Sequence, residues 1–205
     1  MSKPASGLNK NDVRRLVMEG WEEALPVLMA YIAVPAVSPA YAPNWEQEGH
    51  IAAAFRLLRD WCLARIASDM TVELVERPGL TPVLFLQIPA SSGKGKTKPS
   101  GRVLMYGHAD KQPPMDGWEP GLGPWSPVVR DGKLYGRGGA DDGYAIFAAL
   151  RSILILRELG VPHAAIDILI EGSEESGSVH LPEHLRALLP RIGTLGAAIA
   201  TAASY

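Results

Sequence analysis

Arg102-Val103-Leu104-Met105-Tyr106-Gly107-His108-Ala109-Asp110 is a short apolar run that ends in a histidine and a carboxylate. A run of this length without polar alternation fits a β-strand covered on both faces. Residues 82–88 (PVLFLQI) and 165–170 (AIDILI) read the same way, and the second is followed by Glu171-Gly172-Ser173-Glu174-Glu175. Residues 71–76 alternate and predict a further strand. Around these runs the pattern turns helical. Asn11 and Asp12 predict the cap of a helix reaching toward Ala33, kinked or restarted at Pro26. Ile51, Phe55, Leu58 and Cys62 recur at helical spacing in a second helix that runs from Trp45 toward Ile66. Ile146, Leu150, Ile153 and Leu156 share one face of a helix over 143–159, and residues 182–189 predict another. Pro35, Pro39 and Pro43 imply an extended connection, residues 91–101 a surface loop, and Asp131-Gly132 a hairpin within 127–135. Helices alternating with buried strands predict an α/β protein, a sandwich built on a mixed sheet.

The 205 residues are 47% hydrophobic, which suits a packed core and argues against a disordered chain. A formal net charge of −2 offers no electrostatic reason to expect a nucleic-acid partner. The single Cys62 excludes an internal disulfide and reads as a small buried apolar residue rather than a reactive thiol. The first residues contain no apolar leader, and the longest apolar stretch, 145–159, is interrupted by Arg151 and Arg157. The expectation is a cytoplasmic protein with no membrane partner.

Sites in open α/β sheets form beyond the carboxyl ends of strands. His108 with Asp110, and Glu174 with Glu175, both follow apolar runs and so emerge at that edge. On extended backbone, i and i+2 side chains point the same way, so Asp110 can orient a His108 ring that binds a metal. Alone, a His-x-Asp is a common strand-end pair. Asp141 and Asp142 follow the bend Gly136-Arg137-Gly138-Gly139 and precede a helix, where a cap for the helix dipole is the plain reading. A carboxylate there can also bridge two cations. Glu174 and Glu175 by themselves suit solvated acids; drawn into a cleft, their repulsion needs a cation or a proton. One glutamate as a ligand beside one as a general base meets both demands.

Rival motifs fail. Gly95-Lys96-Thr97 lacks its leading glycine, since position 90 is Ala90, and Lys98-Pro99 stands where a helix should follow. Gly136 and Gly138 lack the third glycine of a dinucleotide fingerprint, and no Gly-x-Ser-x-Gly elbow occurs.

Taken together, GHADKQP (107–113), DGKLYGRGGADD (131–142) and EGSEESGS (171–178) resemble the signature blocks of the M20 family of zinc metallopeptidases. The dipeptidase and carnosinase-like branch is the most similar, and order and spacing agree over residues 10–190. The resemblance implies an α/β catalytic domain like that of two-zinc aminopeptidase-like hydrolases. It implies His108 as ligand of one zinc, Asp141 as the bridging carboxylate and Glu175 as ligand of the second zinc. Glu174 becomes the general base and Asp110 the carboxylate that assists the histidine. The Asp141–Asp142 peptide bond is expected to be cis. The implied reaction is hydrolysis of a peptide or related amide bond in a small substrate, with a water between two divalent ions. Zinc is the family's metal, although one histidine among carboxylates also suits manganese or cobalt.

The chain departs from the family in two places. Gly143-Tyr144 stands where Lys-Gly is usual, at positions that supply no ligand. After Glu183 there is no Asp or Glu, and residues 193–205 (GTLGAAIATAASY) do not resemble the acidic segment expected there. Residues 1–192 are therefore read as the amino-terminal part of the catalytic domain, incomplete at the C-terminus, and 193–205 as an atypical tail. An out-of-frame end is one account of that tail. Without the family's dimerisation domain no family-type dimer is expected, and a catalytically inactive, metal- or ligand-binding fragment is the alternative reading. His180 and His184 are read as solvated rather than as substitute ligands.

Overall fold

The computed structural model describes residues 8–95 and 97–200. The chain start, Lys96 of the phosphate-loop pattern and the last part of the tail (201–205) lie outside the described residues. Five strands make one mixed sheet in the order β1 (Thr71–Arg77), β2 (Leu80–Ile88), β6 (Ala165–Glu171), β3 (Arg102–His108) and β7 (Ala197–Ala200). β1–β2 and β2–β6 are antiparallel, whereas β6–β3 and β3–β7 are parallel. The hairpin predicted around Asp131-Gly132 is β4 (Val128–Arg130) and β5 (Lys133–Tyr135), a separate two-stranded sheet. Asp131 and Gly132 both take positive φ, 53° and 73°, which matches the twist that a two-residue hairpin needs.

α1 (Lys10–Ala33), α3 (His50–Leu63) and α4 (Ala145–Glu158) cover one face of the sheet. Leu84, Leu86, Ile88, Ile166, Ile168 and Ile170 point into that core. On the other face, α5 (Leu181–Ile192) packs Leu188 and Ile192 against Val83, Phe85 and Leu169. β2 and β6 are thus buried on both sides, as their unbroken apolar runs require. β3 differs from expectation: residues 102–106 are only half-buried, because α5 lies over β2 and β6 and the described side chains of its neighbour β7 are exposed.

Several boundaries also move. Asn9, not Asn11 or Asp12, caps α1, its side chain accepting the Asn11 N–H at 3.0 Å. α1 runs unbroken through Pro26; a proline removes one helical hydrogen bond, which the burial of Ala24, Leu28, Tyr31 and Ile32 offsets. The predicted second helix is divided at Gly49, whose φ of 70° ends α2 (Trp45–Glu48) before α3 begins. Residues 34–44 are not simply extended. They form turns and a bridge that pairs Val37 with Lys111. β7 lies in a stretch with no predicted strand. Among the described residues, no helix is long and apolar enough to cross a membrane.

Candidate metal centre

β3 and β6 lie side by side and parallel, with His108 opposite Glu171, so both chemical blocks leave the sheet at one edge. The Ala109 N–H donates to the Glu171 carbonyl at 2.8 Å and carries the pairing one residue further. The third block arrives through the bend Gly139–Gly143, where the Asp141–Asp142 peptide bond is cis, as the resemblance led us to expect. The buried Asp142 carboxylate accepts the His108 N–H at 3.3 Å and holds this bend against the end of β3.

The His108 ring is buried, and its two nitrogens face different groups. Nδ1 lies 3.2 Å from the Asp110 carbonyl oxygen and 3.5 Å from its carboxylate. Nε2 lies 3.2 Å from Asp141 Oδ1 and 3.6 Å from Glu174 Oε2. Burial opposes a charge on the ring, yet Asp110, Glu174 and Asp142 outweigh it and raise the His108 pKa to about 9. Positive charge at Nε2 is therefore favoured by its surroundings.

Asp110 does more than face the histidine. Its Oδ1 accepts the Glu174 N–H at 3.1 Å, and Oδ2 accepts the Glu175 N–H at 3.0 Å. One buried carboxylate thereby docks the short turn Glu174–Ser176 onto the histidine loop. Gln112 Nε2 donates to Glu175 Oε2, while Glu175 Oε1 is buried with no protein partner. Burial, together with Asp141 and Asp110, pushes Glu175 up to about 7 against the lowering effect of Gln112 and His108. Glu174 is raised as well, first by burial and then by Asp110 and Asp141.

A ligand atom each from His108, Asp141 and Glu175 lies within 4.8 Å of the others. The donor set suits a divalent cation: one imidazole nitrogen and carboxylate oxygens, one of them orphaned, with more negative charge than the protein balances. All five residues singled out in the sequence meet here. His180 and His184 do not join them; His180 is half-buried and His184 buried, each bonded to Thr81 rather than left to solvent. The Thr81 N–H donates to His180 Nδ1 at 3.1 Å, and His184, which is buried, bonds through Nε2 to the Thr81 carbonyl at 2.9 Å. Both fasten α5, which starts at Leu181, to Thr81 near the start of β2. Sequence reading passed over Gln112 and Glu171, although both lie inside the quoted blocks, and over Ser38. The Ser38 hydroxyl is 2.5 Å from that of Ser176 and fixes the far end of the turn.

The family described as "Peptidase family M20/M25/M40" matches residues 104–200. Beta-Ala-His dipeptidase of Homo sapiens is 31% identical over 178 residues, covering 79% of this chain and 32% of that protein. Succinyl-diaminopimelate desuccinylase of Gluconacetobacter diazotrophicus is 34% identical over 118 residues, covering 55% and 28% respectively. The crystal structure of human carnosine dipeptidase 1 superposes with a TM-score of 0.73 at 25% identity, over 98% of this chain and 42% of that one. A di-peptidase from Saccharomyces cerevisiae gives a TM-score of 0.72 at 20% identity, over 95% and 41%, and shares the fold. The chain spans about a third or less of the length of these curated relatives.

Proposed function

We propose that this chain, which belongs to peptidase family M20/M25/M40, forms through residues 1–192 the amino-terminal part of a catalytic domain that hydrolyses peptide or related amide bonds. The observation that supports this reading is the convergence of His108, Asp141 and Glu175, with Glu174 and Asp110 beside them. Its substrates are small, of the dipeptide class that the names of its relatives carry.

His108 would hold one divalent ion, Glu175 a second, and Asp141 would reach both with its two oxygens. When bound, two zinc ions would polarise the scissile carbonyl and lower the pKa of a nearby water toward neutrality. Glu174 is the general base. Its carboxylate has a side-chain exposure of 36%, within reach of solvent, and burial with the nearby Asp110 and Asp141 raises its pKa, which makes it a stronger base. It takes the water's proton as the C–O bond forms and gives it to the amine as the C–N bond breaks. Asp110 holds the His108 ring and the Glu174–Glu175 amides in one frame, so base and ligands keep their spacing.

Zinc bound per purified chain, counted by mass spectrometry after dialysis, tests this reading. Two ions per chain, both lost in Asp141→Ala, with release of amino acids from a dipeptide panel by the wild type, are expected. A chain that retains no zinc overturns it and leaves an inactive fragment.

A further inference from the structure

The 171–178 block opens with a carboxylate to which the metal-centre reading gives no role. Glu171 ends β6 and is 1% exposed. Its partners are three hydroxyls. Oε1 accepts from Tyr106 at 2.6 Å and from Ser178 at 2.6 Å, and Oε2 accepts from Ser173 at 3.1 Å. Tyr106 lies on β3, two residues before His108; Ser173 and Ser178 flank the Glu174–Glu175 pair on either side. One carboxylate therefore gathers both ends of the turn and pins them to the strand that delivers the histidine.

The main chain repeats the arrangement. The Ser178 N–H donates to the Ser173 carbonyl at 2.8 Å, closing the turn, and the Glu171 carbonyl receives the Ala109 N–H. Ser173 Oγ also accepts the His180 N–H at 3.3 Å, which ties the same cluster to the start of α5. Ionised, a carboxylate is acceptor-only and can serve all three hydroxyls at once, with bonds to charge that are stronger than neutral ones. An amide at this position would turn a donor toward hydroxyls that already donate.

We propose that Glu171 is a positioning residue: its buried carboxylate, by collecting Tyr106, Ser173 and Ser178, sets the turn that presents Glu174 and Glu175 to Asp110 and His108. The effect on metal affinity rests on the metal-centre reading above; the effect on the turn does not.

The test uses the full chain, Glu171→Gln, and Tyr106→Phe, which removes one hydroxyl and keeps the ring. Without metal, exchange of the Glu174 and Glu175 amides, the two donors to Asp110, is expected to quicken by about tenfold in Glu171→Gln. With metal, the zinc Kd from chelator competition is expected to rise about 10- to 100-fold, as for other groups that orient ligands. The visible bands of the cobalt(II)-loaded variant are expected to shift. Tyr106→Phe should move each readout in the same direction by less, and it decides the question if Glu171→Gln does not fold. A folded variant with wild-type exchange at both amides overturns the proposal. So does a variant that is merely less stable and keeps wild-type cobalt(II) bands at saturation. Failure of the wild type to bind zinc or cobalt(II) defeats the metal-centre reading alone, and the amide exchange then decides the role of Glu171.

Discussion

The Lys111 ammonium is fully buried among main-chain carbonyls, 2.7 Å from Tyr31 O, 3.2 Å from Ile32 O and 2.6 Å from Val34 O. α1 has no basic residue in its own last turn, so a lysine one position after Asp110 caps it from across the fold. Lys111 also pairs through its main chain with Ala36 and Ser38, and its stem lies where a Cβ on Gly138 would sit. The histidine loop, the bend before Asp141 and the end of α1 are thereby joined at one side chain. Lys111→Met is expected to cost roughly 2 kcal/mol near pH 7, because buried carbonyls lose their donor. Burial pushes Lys111 down to about 7, whereas an unfolded lysine titrates near ~10.4. Between those values the unfolded chain binds more protons, so this lysine's contribution to stability rises with pH from about 7 to about 10. Urea unfolding at increasing pH should show the gap between wild type and Lys111→Met widening; a gap that narrows means that the three carbonyls outweigh burial and keep the ammonium charged. Lys111 lies inside the 107–113 block, yet nothing there marks it as a helix cap, because its partners come from residues about eighty positions away.

At the scale of elements, periodicity located the core helices well because a buried face repeats its pattern regardless of partner. Cys62 in α3 was read as a packed apolar residue, and it is fully buried, with burial raising its thiol to about 12. Iodoacetamide at pH 8 is expected to leave Cys62 unmodified in the native chain and to label it as urea unfolds the protein. Immediate labelling of the native chain would contradict the packing of α3 against α1 and the sheet. The elements that escaped the pattern did so for local reasons. Gly49 divides a continuous apolar face by a backbone angle that no side-chain period records. β7 is a short small-residue segment whose strand character comes from pairing with β3 rather than from propensity.

For the molecule as a whole, the metal centre proposed at the sheet edge predicts that stability depends on metal. Asp110, Asp141, Glu174 and Glu175 crowd around one imidazole, and a cation that binds only the folded arrangement stabilises it by mass action. Zinc at about 100 times its Kd should add ~2.7 kcal/mol and raise the unfolding temperature, and Asp141→Ala should abolish the rise. An equal rise in the variant would place the zinc elsewhere. The α/β class was legible from the chain itself, and so was the set of five residues that the structure brings together at one edge. Apolar runs without alternation demand cover on both faces, and polar residues that follow them have only the sheet edge to occupy. The apolar runs alone therefore determined that His108, Asp110, Glu174 and Glu175 reach that edge, whereas Asp141 was pointed to only by the family resemblance. The tertiary structure decided how they are held: Asp110 on two amides, Lys111 on a distant helix end, Glu171 on three hydroxyls, the histidines 180 and 184 on Thr81. Most of those hydrogen bonds join segments far apart in the chain; the Asp110 amides and the Tyr106–Glu171 pair become neighbours only when β3 and β6 lie side by side.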